Sequence, residues 1–311
     1  MSNRYQNKPD FGKAETLLPQ IPRVAAIHDI SCLGRCALTV IIPVLSALGV
    51  QTVPLPTALL STHTGGFENM FFEELTSEMQ SIANHWKSLG ADFDAIYSGF
   101  LGDAAQIDMI KSFTRSFAEN RGGKRPFIAV DPVMGDDGEL YSTYTAELVC
   151  GIADICEGAD LITPNLTEAC YLTGTKFPRF CPTVLEDAEE LAYKLLKKLT
   201  DLFGCRLTVV TGIEIRPEKD APSVLTALSE HGEKPSFHAV PLLPRSYPGT
   251  GDVFASVLIG KLLRGAPPQD AVESACEFVC FLTEKSSHYD TPIRDGLVIE
   301  PYLSRLCAEN G

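Results

Sequence analysis

The chain has 311 residues, 45% of them hydrophobic, enough to bury a large core as one big α/β domain or two smaller ones. Acidic residues outnumber basic ones 40 to 26, a formal net charge of −14, which leaves no electrostatic footprint for nucleic acid or anionic lipid. Ten cysteines are scattered without a secretion signal, and no stretch reaches the ~18 apolar residues of a membrane span, so the sequence reads as a reduced, cytoplasmic protein.

Residues 1–22 are polar and lack the apolar stretch of a signal peptide. They read as a flexible N-terminal arm ahead of a single domain over 23–311. Val24–Ile27 is a continuous apolar run, the pattern of a strand buried on both faces, and it leads through Asp29 to Cys32-x3-Cys36. That cysteine pair has no nearby His or Cys, which argues against a metal cluster. A helix over Leu38–Leu48 stops at Gly49, and Val50–Leu55 is the second strand. The loop Leu60-Ser61-Thr62-His63-Thr64-Gly65-Gly66 comes next, then a helix from Glu68 to about Leu89. Ala95–Ser98 is a strand ending in Ser98-Gly99-Phe100-Leu101-Gly102, with a helix from about Ala104 to Glu119 behind it.

Phe127–Val130 is a further buried strand, closed by Asp131-Pro132-Val133-Met134-Gly135-Asp136. A helix (about Thr143–Cys156) and a strand (Leu161–Thr163) lead to Pro164-Asn165-Leu166-Thr167-Glu168. Leu191, Leu195, Leu199 and Leu202 give the helix over Glu186–Phe203 its apolar stripe, and Arg206–Thr211 is a strand. Ser223–Ser229 and Pro235–Val240 form a late β-hairpin around His231-Gly232. The closing helices are Asp252–Leu263 and about Gln269–Lys285, the latter begun at Pro268 and carrying Val272, Cys276, Val279 and Cys280 on one apolar stripe. The alternation predicts an α/β fold, a doubly wound, mostly parallel sheet with helices on both faces. Ligands of such sheets bind beyond the carboxyl ends of the strands. Asp29, Ser61–Thr64, Ser98–Phe100, Asp131, Asn165–Glu168, Thr211 and the Gly249–Asp252 turn all fall at those ends.

The turn Pro248-Gly249-Thr250-Gly251-Asp252 opens an apolar, helix-length run. Glycines let the backbone N–H groups approach a bound group closely, and a helix N-terminus adds orphan donors and partial positive charge, a cradle for an anion. Asp252 at this position is either a helix-start carboxylate or a general base that takes a proton from a substrate hydroxyl. There is no Gly-x4-Gly-Lys-Ser/Thr loop for a nucleotide and no Gly-x-Ser-x-Gly elbow for a serine hydrolase.

Together the loops at Leu60–Gly65, Ser98–Gly102, Asp131–Asp136, Thr163–Glu168 and Gly249–Asp252 resemble the ribokinase-like superfamily, and most of all its pyridoxal/pyridoxamine kinases, over about Arg23–Lys285. The resemblance implies ATP-dependent phosphorylation of the 5′-hydroxymethyl group of pyridoxal, pyridoxamine or pyridoxine. It makes Asp252 the base and the N–H groups of Gly249, Thr250 and Gly251 the anion hole for the γ-phosphate. It places Asp29, His63, Thr64 and Phe100 around the vitamer. Asp131, Asp136, Thr163, Asn165 and Thr211 lie along the nucleotide, with Glu168 and Asp131 on Mg²⁺ and a K⁺ near Thr163 and Thr211. A homodimer is implied as well. Asp29 and Phe100 depart from the Ser and Tyr of the best-known pyridoxal kinases; a carboxylate there suits an amine or a protonated pyridine nitrogen.

The residues by themselves keep alternatives open. Asp131 before proline can simply end a strand, Asn165 and Glu168 can be helix-capping residues, His63 a hydrogen-bonded loop histidine, and Phe100 core. Arg35 can meet a phosphate or pair with a carboxylate. Hydroxymethylpyrimidine kinase activity, or non-catalytic vitamin binding on the same fold, are the alternative functions.

Overall fold

The computed structural model describes residues 20–119, 123–141 and 143–307. Most of the expected arm, residues 1–19, lies outside the described residues. The chain opens with β1 (Arg23–Leu33), α1 (Leu38–Ala47), β2 (Gln51–Thr62), a short β3 (Phe72–Glu74) and α2 (Thr76–Ser88). Then come β4 (Ala95–Ser98), α3 (Ala105–Ser116), β5 (Phe127–Val130), a two-residue-strand hairpin β6 (Gly135–Asp136) and β7 (Glu139–Leu140), and α4 (Ala146–Cys156). The second half runs β8 (Leu161–Ile162), α5 (Leu166–Thr173), α6 (Leu185–Phe203), β9 (Leu207–Ile215), β10 (Ser223–Glu230), β11 (Ser236–Pro241), α7 (Thr250–Leu263) and α8 (Pro268–Ser286).

The main sheet has nine strands in the order β11-β10-β9-β8-β5-β4-β1-β2-β3. Its centre, from β9 to β2, is parallel, and both edges are antiparallel: β3 on β2, and the β10–β11 hairpin on β9. Successive residues of β1 feed opposite cores, as the strand period of two requires. Ala25 and Ile27 pack with α2 to α6, whereas Val24 and Ala26 pack with α1, α7 and α8. The chain leaves β1 for β2 on one side and returns to β4 on the other. β1 is therefore a topological switch point, where a crevice opens beyond the strand ends.

The structure corrects several expectations. The helix expected from Glu68 starts at Thr76, because Phe72–Glu74 pairs antiparallel with the far end of β2 instead. That far end is longer than expected: Leu60–Thr62 continue β2 rather than open the loop. Pro54 and Pro56 lie in the part of β2 that β3 does not reach, where missing N–H donors cost no ladder bond. In α6 the buried face is Ala188, Ala192, Leu195, Leu196 and Leu199; Leu202 is exposed. Cys276 is core and Cys280 is only half-buried. Beyond α8, where no element was expected, 3-10 turns form at Ile293–Asp295 and Glu300–Tyr302.

Candidate active site

α7 begins with Gly249 in the left-handed region at φ 82°, and a Cβ there would overlap the backbone carbonyl oxygen of Arg35. This close approach is what the glycine is for. Asp252 sits in the first turn, but no side chain caps α7. The carboxylate turns instead to the neighbouring helix: the Ala37 N–H, at the N-cap of α1, donates to Asp252 Oδ2 at 2.8 Å. Ala37 holds an unusual backbone, φ 50° and ψ −138°, to aim that donor. The turn therefore has glycine-lined, uncapped N–H groups beside an aspartate held in a fixed direction. Burial raises the Asp252 pKa to about 6, and the Ala37 N–H pulls it back down.

Two buried carboxylates, Asp29 and Asp131, feel the charge of Asp252, and a third, Glu168, feels that of Asp131. Asp29, expected at the end of its strand, lies inside β1 where the register with β2 shifts; it is buried and accepts from the Ser31 hydroxyl at 2.8 Å. Burial lifts its pKa to about 7, against the Ser31 hydrogen bond and with help from the charge of Asp252. Asp131 follows β5, where its N–H continues the parallel ladder by donating to the Ser98 carbonyl at 2.8 Å. Burial and then Asp252 raise its pKa to about 8, while the Thr163 hydroxyl lowers it. Glu168 is buried in α5, and burial and then Asp131 raise its pKa well above the usual range. Mutual influence of this kind requires the groups to be close and their surroundings dry.

Asn165 and Glu168 form a reciprocal capping box on α5. The Asn165 side chain accepts from the Glu168 N–H at 2.9 Å, and Glu168 Oε2 accepts from the Asn165 N–H at 2.8 Å. Glu168 Oε1 also accepts from the Met134 N–H at 3.1 Å, and Asn165 Nδ2 donates to the Gly135 carbonyl at 2.8 Å. The pair thus ties α5 to the β6–β7 hairpin, which carries Asp136 exposed at its tip. Thr211 meets Asn165 through an isolated parallel bridge, and Thr163 brings a buried hydroxyl beside the Asp131 carboxylate.

On the side expected to take the vitamer, His63 uses both ring nitrogens. The Gly65 N–H donates to Nδ1 at 3.1 Å, so the proton sits on Nε2, which donates to the Arg294 carbonyl at 2.5 Å. Phe100 is packed in the core edge-on to Tyr144, ring centroids 5.9 Å apart, and Thr64 is half-buried. Arg35 pairs with a carboxylate, Glu300, at 2.7 Å. Sequence reasoning passed over Ala37, whose side chain announces nothing, and Tyr141. The Tyr141 pKa is raised first by burial and then by the charges of Glu168, Asp136, Asp252 and Asp131. His28 belongs to none of the sequence motifs. It is fully buried beside Tyr97, its pKa lowered to about 3 by burial, and it fills the space that the missing Cβ of Gly99 leaves.

The model of the phosphomethylpyrimidine kinase family matches residues 42–292 of this chain. The chain belongs to that family. A Bacteroides thetaiotaomicron member, assigned to the phosphomethylpyrimidine kinases and crystallised with pyridoxal, is 35% identical, with a TM-score of 0.82 over 92% of this chain and 96% of that one. The Lactobacillus plantarum pyridoxal kinase is 26% identical, with a TM-score of 0.80 over 94% of this chain and 98% of its own. The pyridoxine/pyridoxal/pyridoxamine kinase of Bordetella avium is 27% identical over 89% of this chain and 91% of its own length. The fold is ribokinase-like, and in this chain the charge of Asp252 is felt by both Asp29 and Asp131 beside the β1 switch point.

Proposed function

We propose that this chain is an ATP-dependent kinase that phosphorylates the 5′-hydroxymethyl group of a B6 vitamer: pyridoxal, pyridoxamine or pyridoxine. The observation that carries it is Asp252, fixed by the Ala37 N–H at 2.8 Å beside the uncapped Gly249-Thr250-Gly251 start of α7. Phosphoryl transfer needs positioning and charge neutralisation more than covalent help. In this reading Asp252 accepts the proton of the vitamer hydroxyl, and its pKa of about 6 leaves it ionised at neutral pH while still basic enough to take that proton. The N–H groups of Gly249, Thr250 and Gly251 receive the oxygens of the transferred phosphoryl group. Asp29, His63, Thr64 and Phe100 line the vitamer side; Asp131, Asp136, Thr163, Asn165 and Thr211 line the nucleotide side.

The donor set suits a hard cation. Asp131 and Glu168 are buried carboxylates, and the charge of Asp131 raises the Glu168 pKa, a repulsion that a divalent ion relieves. Among the described residues no three His, Cys, Asp or Glu side chains converge as a protein cage. That pattern fits Mg²⁺, which is commonly held by one or two carboxylates plus substrate phosphates. Both Glu168 oxygens already accept backbone N–H groups, so Glu168 would reach the ion through its remaining lone pairs or through water. Bound there, Mg²⁺ supplies charge neutralisation for the phosphates. The buried Thr163 hydroxyl beside Asp131, with Thr211 close by Asn165, offers an oxygen ligand of the kind K⁺ takes. A homodimer and a cytoplasmic site of action belong to the same reading.

Hydroxymethylpyrimidine phosphorylation is the second reading, and the family model itself favours keeping it. One panel separates them: ATP with Mg²⁺ and K⁺, offered pyridoxal, pyridoxamine, pyridoxine, hydroxymethylpyrimidine and ribose. Turnover of the pyridine alcohols supports B6 salvage, and turnover of hydroxymethylpyrimidine alone moves the protein to thiamine synthesis. ATP binding without turnover of any of them leaves a non-catalytic vitamin-binding protein. Asp252→Asn should lower kcat by about a hundredfold or more with nucleotide affinity retained; full activity in that variant overturns the base assignment.

A further inference from the structure

The segment beyond α8 carries none of the motifs read from the sequence, yet it is built into the site. Its turn, Ile293–Asp295, ends at Gly296 with φ 83°. There the Arg35 N–H donates to the Asp295 carbonyl at 2.9 Å, and Arg35 pairs with Gly296 as an isolated parallel bridge. A Cβ on Gly296 would lie 2.5 Å from the Arg35 carbonyl oxygen, the same oxygen that a Cβ on Gly249 would overlap. The Arg35 carbonyl is thus gripped between the start of α7 and the C-terminal turn, and only glycine permits either approach. The Arg35 side chain adds a second hold through Glu300. His63 donates to the Arg294 carbonyl, and the Arg294 guanidinium lies 4.9 Å over the Phe67 ring, so the turn is clamped from the β2–β3 loop as well. Two residues after Arg35 stands Ala37, in a left-handed conformation that a residue with a Cβ keeps only when its surroundings impose it.

We propose that the Ile293–Gly296 turn is a positioning element of the phosphoryl-transfer site: by gripping Arg35 it holds the Ala37 N–H on Asp252, with Gly296 as its decisive residue. The inference deepens the reading of Asp252 as base and rests on it for its catalytic meaning. The turn itself touches no substrate. It acts by fixing the direction of a carboxylate, and displacements well under an ångström at such a group cost rate.

The test is Gly296→Ala in the full-length protein, read in two ways. The first is a split of kcat from KM with the best vitamer of the panel. The second, which needs no substrate, is the backbone amide proton resonance of Ala37 by NMR, with Asp252→Asn as the reference for an Ala37 N–H that has lost its carboxylate partner. The expected result is a folded variant whose kcat is about tenfold or more below wild type with KM for ATP changed less than about twofold. Its Ala37 resonance moves toward the Asp252→Asn position. Arg35→Ala, which leaves both glycines and the backbone grip in place and removes the side-chain holds on Glu300 and on the Asp295 carbonyl, should move the resonance the same way by less; it carries the test if Gly296→Ala does not fold. An unmoved Ala37 resonance overturns the proposal, whether or not kcat falls. If the resonance moves while wild type phosphorylates nothing in the panel, the positioning stands and the kinase reading falls.

Discussion

Asp29 shows how far a single residue can be read from its type and how far it cannot. Its place on a buried strand was legible; its position inside β1, where the register with β2 shifts four residues before the strand ends, and its charge coupling to Asp252 were not. A carboxyl whose pKa is about 7 in the folded protein and 3.8 unfolded binds its proton more tightly when folded. The associated stability is fully present below about pH 4 and is lost as pH rises through 7. Asp29→Asn removes that loss. The variant should be more stable than wild type at pH 8 by on the order of 2 kcal/mol, with the difference shrinking toward pH 5. Urea melts at both pH values check this, and a gap that does not widen with pH contradicts it. The same variant should change the preference among vitamers if Asp29 faces their ring or amine.

At the scale of elements, the glycine of Ser98-Gly99-Phe100 gains a physical meaning that its motif did not give. The backbone after β4 runs against the face of the His28 ring, and a Cβ on Gly99 would overlap that ring. Gly99→Ala should therefore cost about 1–3 kcal/mol by overpacking, which is the ordinary penalty for an added carbon in a tight core. Combined with His28→Ala, which vacates the ring's space, the added cost of Gly99→Ala should fall by about 1 kcal/mol or more, a coupling that thermal melts of the four proteins measure. Strict additivity would show that the two residues do not press on each other. The secondary elements themselves were largely legible from apolar runs and glycine stops. The exception at Phe72–Glu74 arose because three residues beside a free strand edge take their structure from the partner strand, not from their own pattern.

For the molecule as a whole, charge is the property with a direct kinetic consequence. A formal charge of −14 repels a nucleotide, so local N–H groups and a bound cation must outweigh the long-range field. Screening weakens that repulsion first, because it acts over more than a Debye length. kcat/KM for ATP should rise severalfold between about 0.02 and 0.2 M salt of constant Mg²⁺ and K⁺ content. A fall over that range would mean that positive groups at the mouth of the crevice govern capture.

The sequence by itself determined the alternation of strands and helices, the parallel sheet, and which strand ends would hold polar and glycine-rich loops, since these follow from local periodicity and turn chemistry. It also offered Asp252 and the Asn165–Glu168 pair, with both a capping and a chemical reading. Tertiary structure answered the capping half of each pair of readings. Asn165 and Glu168 do form the capping box, because their spacing of three is closed within one helix turn. Asp252 does not cap its own helix, because a left-handed Ala37 215 residues earlier in the chain presents it with an N–H. The grip of Gly249 and Gly296 on Arg35 joins three distant segments in the same way. Such contacts depend on where the fold brings separate backbones together, and no local pattern encodes that meeting.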